Sequence, residues 1–411
     1  MNFNERLQAY AELLIKTGVS LIKGQDLVIR SPLEGRDLVV ACAACAYDAG
    51  AADVHVIWSD DALTLLKYRH APVDILQTVH AFEQEEYRHY LNRGAAFLSF
   101  TGTDPDLLKQ IDSQKLQQAS SHRSEALRFY SDAMMKDENP WTVAGIATKA
   151  WAKKVYPDLE PSVALERLWD AIFDMARVSE RTIENWDTHM HTVDSRAQRL
   201  TEEAFVSLHY ENNLGTDLTI SLPEGHLWAG GGSYLPDGRY FVANIPTEEV
   251  FTLPHRSGVC GIVYASMPLA YNGNVIDGFW LRFEEGKVVD FNAKKGKEVL
   301  CHLLDTDEGA RRLGEVALVP YDSPISNRQQ LFYNTLYDEN ASCHLALGKA
   351  YPTCLKGGAD LDKETLLARG ANDSLIHVDF MIGTEDLSVT GTTRDGEHIP
   401  IFIHGNWVAI Q

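Results

Sequence analysis

Basic side chains are scarce in this chain. Its 411 residues hold 37 Lys and Arg against 58 Asp and Glu, a formal charge of −21 at pH 7. Such a surface repels phosphate backbones and anionic bilayers, which argues against nucleic acid or an acidic membrane as a partner. Long apolar runs are missing too, since no stretch approaches the ~20 residues needed to span a bilayer. The opening Met1-Asn2-Phe3-Asn4-Glu5-Arg6 has no basic segment leading into an apolar one, so no secretory leader is expected. Cysteine is sparse and unpaired in spacing, at positions 42, 45, 260, 301, 343 and 354. That pattern predicts free thiols in a reducing cytoplasm. Cys42-Ala-Ala-Cys45 sits in an apolar helical stretch, where a redox pair would want an exposed helix start, and reads as small core filling.

Several catalytic signatures are absent. There is no G-x-G-x-x-G after a strand and no G-x-x-x-x-G-K-[ST], so nothing marks a nucleotide site. There is no H-E-x-x-H and no G-x-S-x-G, which removes the helix-borne zinc protease and the nucleophile elbow.

What remains is a globular composition, 45% hydrophobic and 23% charged, on a chain long enough for two cores. The first half alternates. Asp26–Arg30, Asp53–Trp58, Ala95–Phe100 and Trp141–Ala147 read as strands, separated by helical stretches such as Glu34–Ala49. Short apolar strands separated by helices predict a mostly parallel sheet covered on both faces. Asp104 and Pro105 look like the cap and first residue of a helix, and 161–200 reads as largely helical. After about residue 200 the texture changes to alternating strands with Gly-, Asn- and Pro-bearing turns. They include 204–210, 216–222, 259–265, 278–283 and 287–291, with helices near 296–304 and 328–338. The expectation is α+β overall: an N-terminal α/β domain over 1–200 and a mostly antiparallel β domain over 201–411.

The second half also collects metal-binding residue types. They stand in Asn244-Ile-Pro-Thr-Glu-Glu249, Gly314-Glu-Val316, Asp338-Glu-Asn-Ala-Ser-Cys-His344 and His377-Val-Asp379. This mixture of N and O donors suits a divalent ion of intermediate hardness. Five such groups are too many for one open catalytic zinc and about right for two ions sharing a carboxylate. In a strand, His377 and Asp379 point to one face; a buried His–Asp hydrogen bond is the other reading of that pair. His344 taken alone reads as a satisfied core histidine rather than a ligand. Glu315, in an apolar strand, needs a cation, either a metal or a basic side chain. Glu248 and Glu249 diverge if extended, so at most one of them is a ligand. Tyr351, taken alone, reads as a packing residue.

The segments Asn244–Thr252, Gly309–Val319, Tyr337–Pro352 and Ile376–Gly383 resemble the aminopeptidase T / aminopeptidase S family of metallopeptidases. The likeness runs over nearly the whole chain and includes Gly215-Thr-Asp-Leu218 and Gly405-Asn-Trp407. It implies two divalent ions, zinc or cobalt first and manganese or magnesium as alternatives. Their implied ligands are Glu249, Glu315, His344, His377 and Asp379, with Tyr351 in the position of the catalytic tyrosine. It also implies a homodimer that releases N-terminal residues from short peptides with a free N-terminus. A metal-activated water would attack the first peptide bond. Glu248 is one candidate for the base, and the α/β half is expected to wall the cavity and join the dimer contact. Two other readings stay open: a different dinuclear amidase or dipeptidase, and a non-catalytic metal- or peptide-binding homologue.

Overall fold

The computed structural model describes residues 1–408. Two compact units account for them. One comprises Met1–Thr192, Gly231–Thr247 and Phe332–Leu336, and the other comprises Val193–Gly230, Glu248–Leu331 and the chain from Tyr337 onward.

The first unit is built on a parallel sheet in the order Asp53–Ser59, Asp26–Pro32, Ala96–Thr101, Trp141–Gly145, Asn244–Ile245. Its central strand Ala96–Thr101 is buried along most of its length, as expected where helices cover both faces of a sheet. The helix Arg36–Asp48 buries Leu38, Val39, Cys42, Cys45 and Ala46. Burial raises both thiols above their usual range, which fits core filling and not a reactive pair. On the sheet, Val28, Ala95, Phe97, Ala133 and Met134 form one apolar cluster.

The sequence placed a single cut near residue 200, whereas the first unit also takes in 231–247 and 332–336. Asn244–Ile245 supplies the last parallel strand. It is fixed by the Val143 N–H donating to Ala243 O at 2.8 Å and the Thr142 hydroxyl donating to Val242 O at 2.8 Å.

Two local expectations are corrected. Asp104 does not cap a helix. Its carboxylate accepts from the Asp106 N–H in a run of turns, and the helix begins at Ser113 behind the true cap, Asp112. The region 161–200 is largely helical, as expected, in two helices, Pro161–Met175 and Thr182–Glu203, parted where Arg177 adopts a left-handed backbone with φ of 54°. The helix near 328–338 shrinks to Thr335–Glu339.

The second unit contains two large antiparallel sheets, besides the two-stranded pair Leu269–Tyr271 and Asn274–Ile276. The larger runs Lys287–Asn292, Trp280–Glu284, Val259–Tyr264, Asp217–Ser221, Ser207–Glu211, Ser388–Thr392, His398–Ile403, Asn406–Trp407. The smaller has four strands in the order Val250–Thr252, Leu313–Leu318, His344–Gly348, His377–Met381. Its two central strands are buried throughout, so a polar side chain there must be answered inside the protein. Among the described residues no helix is long and apolar enough to cross a membrane.

Candidate metal centre

The four-stranded sheet brings the five residues together through register. Glu315 pairs with Ala346, and Ala346 pairs on its other side with Asp379. Opposite residues of an antiparallel pair share a face, and residues two apart along a strand return to it. One face therefore carries Glu315 and Ala317 on one strand. His344, Ala346 and Gly348 stand on the next, and His377 and Asp379 on the third. The other face carries Val316, Leu318, Leu345, Leu347 and Phe380, which anchor the sheet in the core, and the half-buried Val378. Val250 pairs with Leu318, so Glu249, one residue earlier, falls on the polar face.

Two glycines shape that face. The ladder slips between Leu313 and Glu315. At the slip a Cβ on Gly314 would lie 2.5 Å from Gly348 O, so the two backbones approach only because Gly314 has no side chain. Gly348, paired with His377, has φ of 108° and would place a Cβ 2.1 Å from Ile376 O.

Glu315 lies between two histidines. Its Oε1 is 3.5 Å from His344 Nε2 and its Oε2 is 3.3 Å from His377 Nε2. His344 Nε2 also stands 3.1 Å from Glu249 Oε2, and His377 Nε2 stands 3.4 Å from Asp379 Oδ1. Glu249, Glu315 and His344 thus form one group whose ligand atoms lie within 4.8 Å of one another, and Glu315, His377 and Asp379 form a second. Glu315 belongs to both.

The other ring nitrogens fix the tautomers. His344 Nδ1 is 2.9 Å from Glu339 O and 3.1 Å from Ser342 O, and His377 Nδ1 is 2.7 Å from Lys349 O. A carbonyl only accepts, so each Nδ1 carries the proton and donates. A neutral ring then turns the Nε2 lone pair toward carboxylate oxygens, which is repulsive unless a cation lies between them. Either a proton on Nε2 or a metal ion resolves the clash, and backbone-anchored Nδ1 is the usual support of a metal-binding imidazole. Oδ1 of Asp379 is buried without a hydrogen bond of good geometry, a further oxygen open to a cation. Two imidazoles and three carboxylates fit divalent ions such as zinc, cobalt or manganese.

Without a bound ion, protons would serve as the counter-charge. Burial disfavours the charged rings of His344 and His377. Glu249 and Glu315 outweigh it at the first, and Asp379 and Glu315 outweigh it at the second, so both imidazoles are held well above their usual range. Burial pushes Glu249 up, offset by His344 and reinforced by Glu315 and Asp379. Burial would likewise raise Asp379, but His377 and His344 prevail and lower it.

Tyr351 packs edge-on against His377, with ring centroids 5.1 Å apart, and against Phe251 at 5.6 Å. Burial first, then Glu315 and Asp379, drive its phenol well above the usual range, so the hydroxyl keeps its proton. Glu248 lies outside both ligand groups, and its N–H donates to Asn340 Oδ1 at 2.8 Å.

Glu339 and Asn340 stand in the 338–344 segment singled out in the sequence, but neither is given a role there. Asn340 is fully buried, and Glu339 is 7% exposed while its backbone carbonyl holds His344. Burial, with Asp379 and Glu249, raises the Glu339 carboxyl well above its usual range. Polar residues at the end of a short helical stretch carry no sign of burial, so only the place of Glu339 five residues before a candidate ligand marks it.

Comparison with known proteins follows the same lines. The family described as thermophilic metalloprotease (M29) matches residues 3–407. Aminopeptidase 2 of Geobacillus stearothermophilus is 48% identical over 406 residues, covering 98% of both chains. Aminopeptidase T of Thermus aquaticus is 42% identical, covering 99% of both. The solved structure of wild-type AmpT from Thermus thermophilus superposes with a TM-score of 0.91 at 41% identity, covering 99% of this chain and 100% of that one.

Proposed function

This chain belongs to the thermophilic metalloprotease (M29) family and is a metal-dependent aminopeptidase, and we propose that it works with two divalent ions bridged by Glu315. Glu249, Glu315 and His344 would hold one ion, and Glu315, His377 and Asp379 the other, with zinc or cobalt the first choices and manganese or magnesium behind them. The observation that carries this reading is the split of Glu315, one oxygen toward each histidine.

Divalent ions held there supply Lewis acidity, which lowers the pKa of water and polarises the scissile carbonyl. The remaining work falls to the chain itself. The Nδ1–H···O=C hydrogen bonds hold both imidazoles in one orientation, so the ligand face is pre-organised before substrate arrives. Tyr351 keeps its phenolic proton and donates it as a hydrogen bond to the oxyanion of the tetrahedral intermediate. Glu248 and Glu339, carboxyls outside the ligand groups, are the acceptors open to the proton of the attacking water. Substrates are short peptides with a free N-terminus. The working form is a homodimer in the cytoplasm, a location supported by six free cysteines.

The test combines chelation with a substrate panel. Exhaustive chelation should abolish cleavage of aminoacyl-anilides while leaving the circular dichroism of the fold in place, and a divalent ion should restore turnover. N-blocked peptides should stay intact throughout. Full turnover after confirmed metal loss overturns the metal mechanism, and equal cleavage of blocked peptides points to the amidase alternative.

A further inference from the structure

One buried amide outside the ligand groups holds the segment on which two of the site's side chains depend. That segment, 348–351, leaves the His344–Gly348 strand. Its Lys349 carbonyl accepts from His377 Nδ1 at 2.7 Å, and its last residue, Tyr351, packs edge-on against the His377 ring. Gly348 has no side chain to steady the segment, and a Cβ there would strike Ile376 O. The steadying contacts come from elsewhere.

Asn372 supplies them. It is 3% exposed. Its Nδ2 donates to Gly348 O at 2.6 Å and to Gly309 O at 2.9 Å, and its backbone carbonyl accepts from the Ala350 N–H at 2.9 Å. The residue thus grips the segment on both sides of Lys349. The Lys349 N–H donates to Ile376 O at 2.7 Å, which ties the same segment to the residue before His377. Carbonyl oxygens only accept, so the amide nitrogen must be the atom that meets Gly348 and Gly309. That orientation leaves Asn372 Oδ1 buried without a hydrogen bond. An unmatched buried acceptor is costly, and it is tolerated here where one side chain secures two carbonyls. Aspartate has the same shape and no donor, and serine has a single one.

We propose that Asn372 is a positioning residue of the aminopeptidase reaction. It acts through the segment 348–351, fixing the carbonyl that orients His377 and the backbone that carries Tyr351. This rests on the roles assigned above to His377 and Tyr351. Asn372 is not itself in either ligand group. A reacting group displaced by about 1 Å can cost about 10²-fold in rate, and a His377 ring freed from its carbonyl is open to such a displacement.

Two readouts on the metal-loaded enzyme separate positioning from simple bracing. The first is the ¹H–¹⁵N signal of His377 Nδ1–H, identified by its absence in His377→Gln. The second is kcat against KM on an aminoacyl-anilide, at a temperature where circular dichroism shows each variant folded. Asn372→Ala should shift or lose the His377 signal while that of His344, assigned through His344→Gln, stays in place. Its kcat should fall about 10–10²-fold, with KM within threefold of the parent. Asn372→Ser, which keeps one donor, should show the same changes to a smaller degree, at least threefold in kcat. It carries the test if the alanine variant does not fold. A brace would lower Tm and leave the His377 signal and kcat at parental values, and that result overturns the proposal. So does an equal change in both histidine signals, which marks general loosening. The His377 signal requires neither turnover nor a bound ion. A parent without metal would therefore refute the two-ion reading, while the signal would still decide whether Asn372 positions His377.

Discussion

Glu315 and Asp379 face the same residue, Ala346, from the two strands that flank it. The alanine methyl is the only side chain between the two carboxylates in that row. Neighbouring side chains on one face of a sheet stand about 5 Å apart, so the space over Ala346 is where the ions would sit.

Ala346→Leu should therefore obstruct the site without disturbing the opposite, apolar face. We expect metal content to fall by at least half and aminopeptidase activity by about 10²-fold or more, roughly 3 kcal/mol in the barrier. The secondary structure should be preserved. Elemental analysis and anilide kinetics on the same sample decide it, and a variant with full metal content and parental kcat contradicts the placement.

Tyr351→Phe keeps the ring that packs on His377 and Phe251 and removes only the hydroxyl. If that hydroxyl serves the oxyanion, kcat should drop by about 10²–10³ with KM and metal content nearly unchanged. A variant within twofold of the parent kcat returns Tyr351 to a packing role.

Asp137 lends itself to a pH test away from the site. Burial raises its carboxyl from 3.8 to about 6, against hydrogen bonds from Ser233 and Trp141. Between those two values the unfolded chain releases the proton while the folded chain retains it. Its favourable contribution is thus fully present below about pH 4 and is lost as pH rises through 6. Asp137→Asn has no proton to lose, and asparagine tolerates the left-handed backbone at φ 54°. Relative to the parent, the variant should gain about 2–3 kcal/mol in stability between pH 4 and pH 7, read from denaturant midpoints. A pH-independent difference contradicts the shift.

The dimer expectation is checked by sedimentation. At micromolar concentration the protein should run near twice its 45.9 kDa chain mass, and a lone monomer argues against it.

The candidate ligands were the most legible part of the sequence, chiefly through the family resemblance. His377-Val-Asp379 and Glu315 sit in strands whose alternation sets which side chains share a face, and adjacent acids diverge, so at most one of Glu248 and Glu249 fits; the resemblance picks Glu249. The tie between these segments was not legible, because strand register and the slip at Gly314 come from pairing between distant stretches. Residues 231–247 were read with the second half because a two-residue strand has no periodicity, and its place beside Trp141–Gly145 is fixed by long-range hydrogen bonds. Asp104-Pro105 carried the local signature of a helix start. Turn chemistry prevailed there because the Asp104 carboxylate bonds two residues on. Glu339 and Asn340 were hidden because polar residues next to a short helix look solvated until burial is known.

The most direct test of the bridged two-ion site is metal content per chain in three proteins. The parent should hold two divalent ions. His377→Ala should hold about one, since Glu249, Glu315 and His344 remain, and Glu315→Ala should hold fewer than one because both groups lose the ligand they share. A parent that binds a single ion, or a Glu315→Ala variant that keeps two, contradicts the bridge.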